Sequence, residues 1–214
     1  GLTVENYYLI SKKNLNSVGF KVGQSFFLAE QFDMAFNRPD IVLERLGFTG
    51  QETLDIYKNA HEKRLNRMNY SSNGGDKNLS VPVLTIANKE SIPFITKNNL
   101  VNIQIKASDA KTTLKSLSVF VNNIPVYGTN GIDLTGKRTL ILDTGINLFL
   151  TPGINKVAIS CLNEQGVESY RESFETEFIG SPVKSNIYFI GIGVSNYKDN
   201  TYNLKYAVKD VRNL

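Results

Sequence analysis

The chain has 214 residues, of which 41% are hydrophobic and 21% charged, and its formal net charge is +4. Cys161 is the one cysteine and His61 the one histidine, which excludes an internal disulfide and most zinc-ligand sets. Basic residues are not gathered in one stretch, which argues against a nucleic-acid partner. No apolar run approaches the ~18 residues of a membrane-spanning helix, and the first ten residues lack a signal-peptide pattern. We therefore expect a cytoplasmic protein with no membrane partner.

The N-terminal segment, residues 1–36, contains short apolar bursts separated by polar residues. This pattern predicts two or three short strands, with turns at Gly19 and Gly23. So short a segment cannot bury both of its faces, so it needs a neighbouring surface to pack against.

Residues 37–70 predict a helical connector. In its first helix we expect Asn37 at the N-cap, Pro39 in the first turn and Gly47 just past the end. A second helix is predicted from Thr49, because the glutamate three residues later completes a capping-box pattern.

Residues 71–80, rich in Ser, Asn and Gly, are predicted to be a linker. From 81 to 180 apolar and polar residues alternate in about seven short strands, a number and spacing typical of an immunoglobulin-like β-sandwich. Asn122 and Asn123 suit a tight hairpin turn, since asparagine tolerates positive φ. The predicted fold class is therefore mainly β with helices.

A second linker is predicted at 181–186, followed at 187–214 by an apolar strand, a polar loop and a helix. Strand, loop and helix in this order belong to an α/β sheet rather than to the sandwich before them. The glycines of "GIGVSN" begin like a dinucleotide-binding fingerprint, but Asn196 stands where the third glycine is required. The sequence therefore predicts no bound cofactor.

Candidate catalytic side chains are few. Cys161 lies within a predicted strand and His61 on the apolar stripe of the second connector helix, so both are interpreted as packed side chains rather than a nucleophile and its base. Asp109 and Asp133 lie in separate loops and do not form a calcium-binding run. We predict neither a catalytic residue nor a metal ligand within the chain.

A binding role is the alternative to a structural one. Loops at one end of a β-sandwich often contact a protein, a peptide or a carbohydrate. In the stretch "VYGTNGID", Tyr127, Asn130 and Asp133 are the candidate contacts.

The last residues, "FIGIGVSNYKDNTYNLKYAVKDVRNL", resemble the first strand and helix of caspase-like cysteine peptidases, with Val211 in place of the usual alanine. "LAEQFDMAFNRPDIVLERLG" is similar to the connector of bacterial proteins that join a WD-repeat β-propeller to a caspase-like domain. "VFVNNIPVYGTNGIDL" and "LTPGINKVAISCLNEQGVES" are similar to the β-sandwich that precedes the peptidase in those proteins. The resemblance thus extends along the whole chain.

The resemblance implies a parent protein that hydrolyses peptide bonds with a Cys–His dyad lying beyond residue 214. It implies that residues 1–36 are the tail of a propeller, and that the chain is a truncated, inactive fragment whose sandwich acts as a spacer or docking module. Its partners would be a protein or peptide and the propeller and protease domains of its own chain. The loop containing Ser195, Asn196, Tyr197 and Asn203 would border the substrate groove.

The apolar stretch 187–194 is built to be covered on both faces and flanked by parallel strands. Without such neighbours, three outcomes stay open: it is disordered, it pairs with a sheet edge of the sandwich, or it mediates self-association with a second copy.

Overall fold

The computed structural model describes residues 1–70, 79–180 and 189–213. The chain divides into two compact units, residues 1–180 and residues 181–214, which are described separately below. In the described ranges, no helix has the length and apolar character needed to cross a membrane.

The first unit begins with an antiparallel hairpin and three helices: β1 (Gly19–Val22), β2 (Ser25–Leu28), α1 (Asp33–Phe36), α2 (Pro39–Leu46) and α3 (Gln51–Arg67). Short 3₁₀ turns lie at Lys12–Ser17 and Ala29–Phe32. The short strands predicted for residues 1–36 therefore pair with each other in a hairpin.

An aromatic cluster supplies the core of this N-terminal part. Tyr8, Phe32 and Phe36 are buried, and Phe20 and Phe27 pack against them. The cluster also includes Val167, which is fully buried and belongs to the β-rich part of the chain. The neighbouring surface that the segment needs is thus supplied within the same unit.

Two expectations about the connector helices are correct and two are wrong. Pro39 is the first residue of α2, and Gly47 ends this helix in the left-handed conformation, with φ of +75°. Arg38 and Gly50 occupy the N-cap positions of α2 and α3, and neither provides a side-chain cap. Asn37 lies one residue too early to cap α2 and donates instead to Asp33 Oδ1 at 2.7 Å.

The β-rich part, residues 79–180, consists of nine strands in two sheets. They are β3 (Val83–Ile86), β4 (Ile95–Thr96), β5 (Leu100–Ser108), β6 (Leu114–Val121), β7 (Ile124–Pro125), β8 (Ile132–Asp133), β9 (Ile141–Phe149), β10 (Gly153–Asn163) and β11 (Glu172–Phe178). One sheet has the order β3-β5-β9, and the other β4-β11-β10-β6-β7, with β8 also paired to β6. Short 3₁₀ turns lie at Lys89–Ser91 and Thr135–Lys137.

Consecutive long strands change sheets: β5 and β9 lie in the first sheet, and β6 and β10 in the second. Crossing between two packed sheets in this way is the Greek-key connection of immunoglobulin-like domains. The predicted β-sandwich is confirmed by this strand order. The hairpin turn is confirmed as well, since Asn122 and Asn123 have φ of 52° and 66°.

The sandwich core forms from the inward-facing residues of both sheets. Along β5 buried residues alternate with exposed ones, so Ile103 and Ile105 face inward with no exposed surface. Val119 on β6 and Ile159 and Cys161 on β10 meet them from the opposite sheet. Each fully buried aliphatic side chain contributes about 1.5–3 kcal/mol relative to exposure.

The second unit is described over residues 189–213. It contains a 3₁₀ turn at Asn200–Tyr202 and the helix α4 (Ala207–Arg212). The structure assigns no strand to residues 189–194; residues 187 and 188, and the linker predicted at 181–186, lie outside the described residues, as do 71–78 of the first linker. A strand requires a hydrogen-bonded neighbour, and the described part of this unit contains no other strand to supply one.

Two glycines fit this second unit closely. A Cβ atom on Gly193 would lie 2.4 Å from the main-chain oxygen of Ala207, and one on Gly191 would lie 2.5 Å from Cγ1 of Val211. The segment therefore runs against α4 at a distance that only glycine permits. Close packing against α4 therefore accounts for the presence of glycine at both positions of "GIGVSN".

Candidate functional site: the junction between helices and sandwich

The junction centres on the last residue of β10. The Asn163 side chain has no exposed surface, and its Nδ2 donates to the main-chain oxygen of Ser80 and to Asp109 Oδ2, both at 2.9 Å. Its Oδ1 accepts from the N–H groups of Gln165 and Val167, at 3.0 and 2.9 Å. Both donors and both acceptor positions of the amide are therefore used, and they join three separate chain segments.

Asp109 is held as a carboxylate within this network. Its Oδ1 accepts from the N–H groups of Lys111 and Thr112, both at 2.9 Å. Burial raises the pKa of Asp109, but hydrogen bonds from Ser80, Asn163 and the two N–H groups outweigh it and hold the pKa below its usual range. The bonds to Lys111 and Thr112 shape the loop between β5 and β6, and the bond from Asn163 joins this loop to β10.

Tyr70, just after α3, reaches the same point from the helical side. Its hydroxyl donates to the main-chain oxygen of Asn163 at 2.6 Å. The Lys115 ammonium lies 3.8 Å from the centroid of the Tyr70 ring. It donates to the main-chain oxygen of Asn69 at 2.7 Å and to Glu164 Oε2 at 3.2 Å. A cation placed at the carboxyl end of a helix also interacts favourably with the helix dipole.

The loop proposed as a binding surface contacts the same helix. Asn130 Nδ2 donates to the main-chain oxygen of Arg67, the last residue of α3, at 3.1 Å. Asp133 Oδ1 accepts from the N–H and hydroxyl of Thr135, at 2.9 and 2.7 Å, and these bonds lower the pKa of Asp133. Tyr127 remains 40% exposed.

A cavity of about 130 Å³ lies between this loop and the end of α3. Its lining residues are Met68, Asn69, Tyr70, Lys115, Ser116, Asn130, Asp133, Thr135 and Leu162. The structure thus brings Asn130 and Asp133 to one cavity, whereas Tyr127 does not line it. The cavity is far smaller than the roughly 300–1,000 Å³ of typical ligand sites.

A second attachment lies beside the aromatic cluster. Gln31 is buried, its Nε2 donates to the main-chain oxygen of Glu168 at 3.1 Å, and its main-chain oxygen accepts the N–H of Glu168 at 2.7 Å. The Glu168 carboxylate accepts from the Ser160 hydroxyl at 2.5 Å and from Arg171 Nε at 3.0 Å. The loop between β10 and β11 is therefore fixed on both sides.

Neither potential catalytic residue has the environment that catalysis requires. Burial raises the pKa of Cys161 to about 12, which keeps the thiol protonated at neutral pH. Burial, with the charges of Arg38 and Arg64, lowers the pKa of His61 to about 4. Across the ranges that the structure describes, no group of three or more His, Cys, Asp or Glu residues is arranged to hold a metal ion.

In the second unit, three of the four groove candidates come together. The N–H of Tyr197 donates to Asn203 Oδ1 at 2.7 Å, and the main-chain oxygen of Ser195 accepts the N–H of Leu204 at 2.8 Å. Ser195 Oγ also accepts the N–H of Val208 at 3.3 Å. These bonds close the loop between 195 and 204; the position of Asn196 in the same loop is exposed. The groove role of this loop stays a prediction.

Sequence reasoning did not identify the residues that form the junction. Nothing in the sequence connects Asn163 to Tyr70 or Ser80, which lie 93 and 83 residues away. The one available signal was composition: an asparagine closing an apolar strand suits hydrogen bonding to loop backbone.

Comparisons with known proteins give distant similarities only. No protein-family model matches the sequence, and no curated protein matches it. The fibronectin(III)-like modules of Clostridium thermocellum CbhA are similar at 12% identity and a TM-score of 0.36, over 52% of this chain and 54% of theirs, so the chain spans about half of that structure. The SrpA adhesin of Streptococcus sanguinis is similar at 15% identity and a TM-score of 0.34, over 63% of this chain and 75% of its own. The assignment to the β-sandwich class therefore rests on the strand order itself.

Proposed function

We propose that residues 1–180 act as a rigid, non-catalytic spacer and docking module. In this role the sandwich holds the helical connector, and any polypeptide attached to it, in one fixed orientation. The observation that carries the proposal is the bonding of Asn163. Its main-chain oxygen accepts the Tyr70 hydroxyl that follows the connector helix, while its side chain joins the strand end to Ser80, Asp109 and the following loop.

Rigidity requires more than one attachment, because a single contact leaves a helix free to pivot. The end of α3 is held by the Tyr70 hydroxyl, the Lys115 ammonium and the Asn130 amide. The aromatic cluster is held separately by the reciprocal bonds of Gln31 with Glu168. Two attachments at different places oppose rotation of the connector on the sandwich.

We infer further that the parent protein is a caspase-like cysteine peptidase in which this spacer lies between a propeller and the protease. The support is the sequence resemblance of residues 189–214 to the first strand and helix of that domain. The close approach of Gly193 to α4 also places this segment against the helix that follows it, as the first βα unit of that domain requires. The reacting Cys and His would then lie beyond residue 214, and the loop with Ser195, Asn196, Tyr197 and Asn203 would border the groove.

A distance measurement tests the spacer role. Spin labels at Lys58→Cys on α3 and Lys97→Cys on the sandwich replace exposed side chains, and Cys161 is buried beyond the reach of the label. We expect one narrow distance distribution, which broadens when Tyr70→Phe and Lys115→Ala are combined. A broad distribution in the otherwise unaltered protein contradicts a rigid spacer.

An activity assay tests the absence of catalysis. The chain is incubated with fluorogenic peptides carrying basic residues or Asp, alongside a Cys161→Ser variant. We expect no turnover by either protein, because the thiol is protonated and buried. Turnover that disappears in Cys161→Ser overturns the proposal. The parent activity is tested by the same assay on the product of the gene read beyond codon 214.

A further inference from the structure

The edge of β9 that faces away from β5 carries no neighbouring strand in the described part of the chain. β9 is nine residues long, contains no proline and has Asp143 as its one charged residue. The other open edges of the two sandwich sheets are short: β3 has four residues, β4, β7 and β8 have two each, and β7 ends at Pro125. Long edges without proline or lysine are those that accept an additional strand.

The open hydrogen-bonding groups on this edge follow from the pairing of β5. The N–H of Ala87 donates to the main-chain oxygen of Gln104 at 2.7 Å, so the N–H and C=O of Gln104 face β3. Gly145 lies opposite Gln104 on β9 and therefore directs its own N–H and C=O outward. Because the orientation repeats every second residue, Asp143 and Asn147 do the same.

The open edge ends at Ile141. Thr139 Oγ1 accepts the N–H of Ile141 at 3.1 Å, and the same hydroxyl donates to the Ile141 oxygen. This hydroxyl occupies the outward groups of Ile141. The groups available for pairing are therefore centred on the middle of β9.

The exposed side chains of β9 are complementary to themselves. Ile141 and Phe149, at opposite ends of the strand, are 72% and 73% exposed, and Gly145 lies midway between them. An antiparallel second copy related by a two-fold axis at Gly145 places Ile141 opposite Phe149 of the second copy. It also places Asp143 opposite Asn147 of the second copy, so like charges do not meet.

Other registers lose this match. A slip of one residue sets outward peptide groups against inward ones and brings exposed side chains opposite buried ones. A shift of two residues sets Asp143 against Phe149 of the second copy and leaves Ile141 without an apolar partner. Apolar contacts decide between the registers. Backbone hydrogen bonds formed at an exposed edge replace hydrogen bonds to water, so they add little net free energy in any register.

We propose that the free edge of β9 is the surface through which two copies of this chain associate. The pair forms one continuous six-stranded sheet, with the same surface used by both copies, as in other two-fold dimers. Gly145 of each copy lies at the axis, and the two Ile141–Phe149 pairs close the ends of the interface.

A charge at the axis tests the proposal. The molecular mass of the intact chain is measured by sedimentation over a series of concentrations, for the unaltered protein, Gly145→Lys and Gln104→Lys. We expect reversible dimers in the unaltered protein and in Gln104→Lys, whose lysine lies on the same face one strand inward. Gly145→Lys sets two ammonium groups opposite each other, so we expect association weakened at least tenfold.

Three results overturn the proposal: a monomer at every soluble concentration, dimers retained by Gly145→Lys, or dimers lost equally in Gln104→Lys. Dimers retained by Gly145→Lys assign the association to another segment, such as residues 187–194. Circular dichroism shows whether each variant is folded. The Gly145 site tolerates a side chain, since an added Cβ meets only the flexible Gln104 amide, at 3.0 Å.

Disulfide formation tests the register. Gly145→Cys places two cysteines across a hydrogen-bonded pair, where Cα atoms are about 5.5 Å apart, within disulfide range. Oxidation is expected to yield covalent dimers, whereas Asn147→Cys, whose counterpart lies about 13 Å along the strand, stays monomeric on denaturing gels. Cys161 has no exposed surface and does not compete. Equal crosslinking of both variants overturns the proposed pairing.

Discussion

The Tyr70 hydroxyl donates a hydrogen bond of 2.6 Å to the main-chain oxygen of Asn163, and so joins the end of α3 to the end of β10. Asn163 therefore takes part in the junction through its backbone as well as its side chain. The same oxygen also accepts the N–H of Gly166 at 3.0 Å, so it keeps one partner when the tyrosine is changed.

Removing this hydroxyl should weaken the module modestly. Because the Asn163 oxygen retains its bond from Gly166, we expect Tyr70→Phe to lower the free energy of unfolding by about 1 kcal/mol. Urea unfolding of the whole chain measures the change. The control is Tyr170→Phe, at a tyrosine that is 63% exposed and should show no change. Equal stability of the two variants contradicts a structural role for the Tyr70 bond.

Adding a charge at the centre of the junction should have a much larger effect. Asn163→Asp sets a second carboxylate beside Asp109 in a buried site, so we expect a loss on the order of 3 kcal/mol at neutral pH. The loss should shrink as the pH falls, because neighbouring carboxylates raise the pKa of one another and one becomes protonated.

The control for this prediction is Asn59→Asp, an exposed position on α3 where the same change should alter stability by less than about 0.5 kcal/mol. Thermal unfolding at neutral and at acid pH compares the two variants. A loss at Asn163→Asp that does not depend on pH would contradict the proposed repulsion from Asp109.

Acidification should destabilise the chain through His61. The pKa of His61 in the folded protein is about 4, below its value of 6.5 when unfolded. The unfolded chain therefore binds a proton first, and stability falls as the pH drops from about 6.5 towards 4 and then no longer changes through this group. The groups that face His61 are Arg38, Arg64, Asp40 and Asp33.

This dependence is measured by urea unfolding at pH 7 and pH 5. A His61→Gln variant should lose most of the difference between the two conditions, because the sequence has no other histidine. A difference that persists unchanged in His61→Gln would assign it to carboxyl groups instead.

A methyl group on Gly193 should disrupt the second unit alone. In Gly193→Ala the new Cβ would lie 2.4 Å from the Ala207 oxygen, a backbone atom that cannot move without displacing α4. Amide hydrogen exchange should increase in residues 189–213 while residues 1–180 keep their protection. Gly136→Ala, with open space around its Cβ, serves as the control. Unchanged exchange in Gly193→Ala would contradict this close packing.

The predictable features of this chain were those encoded by neighbouring residues. Alternation along β5, the Asn122–Asn123 turn and the left-handed Gly47 each depend on local sequence, and each was predicted correctly. The predicted N-caps were wrong because packing determines the first residue of a helix. A shift of one position makes Asn37 a hydrogen-bond partner of Asp33 instead of the cap of α2. A long apolar run indicates burial, but at 189–194 pairing depends on neighbours that the run itself does not specify.

The junction was beyond prediction for a different reason. Its long-range bonds join residues that are 46 to 137 positions apart, and only the folded topology brings them together. An asparagine, a tyrosine and a lysine are common on protein surfaces, so their identity carries no signal until the loops that surround them are known.

Residues 70 and 80 are both attached to Asn163, one through the Tyr70 hydroxyl and the other through the Ser80 oxygen. The intervening stretch thus has its two ends anchored at one point, and lengthening it adds only about 0.6 kcal/mol per doubling. An epitope tag or a protease recognition sequence inserted there should leave the fold intact. After cleavage, the two halves should remain bound to each other as a non-covalent complex.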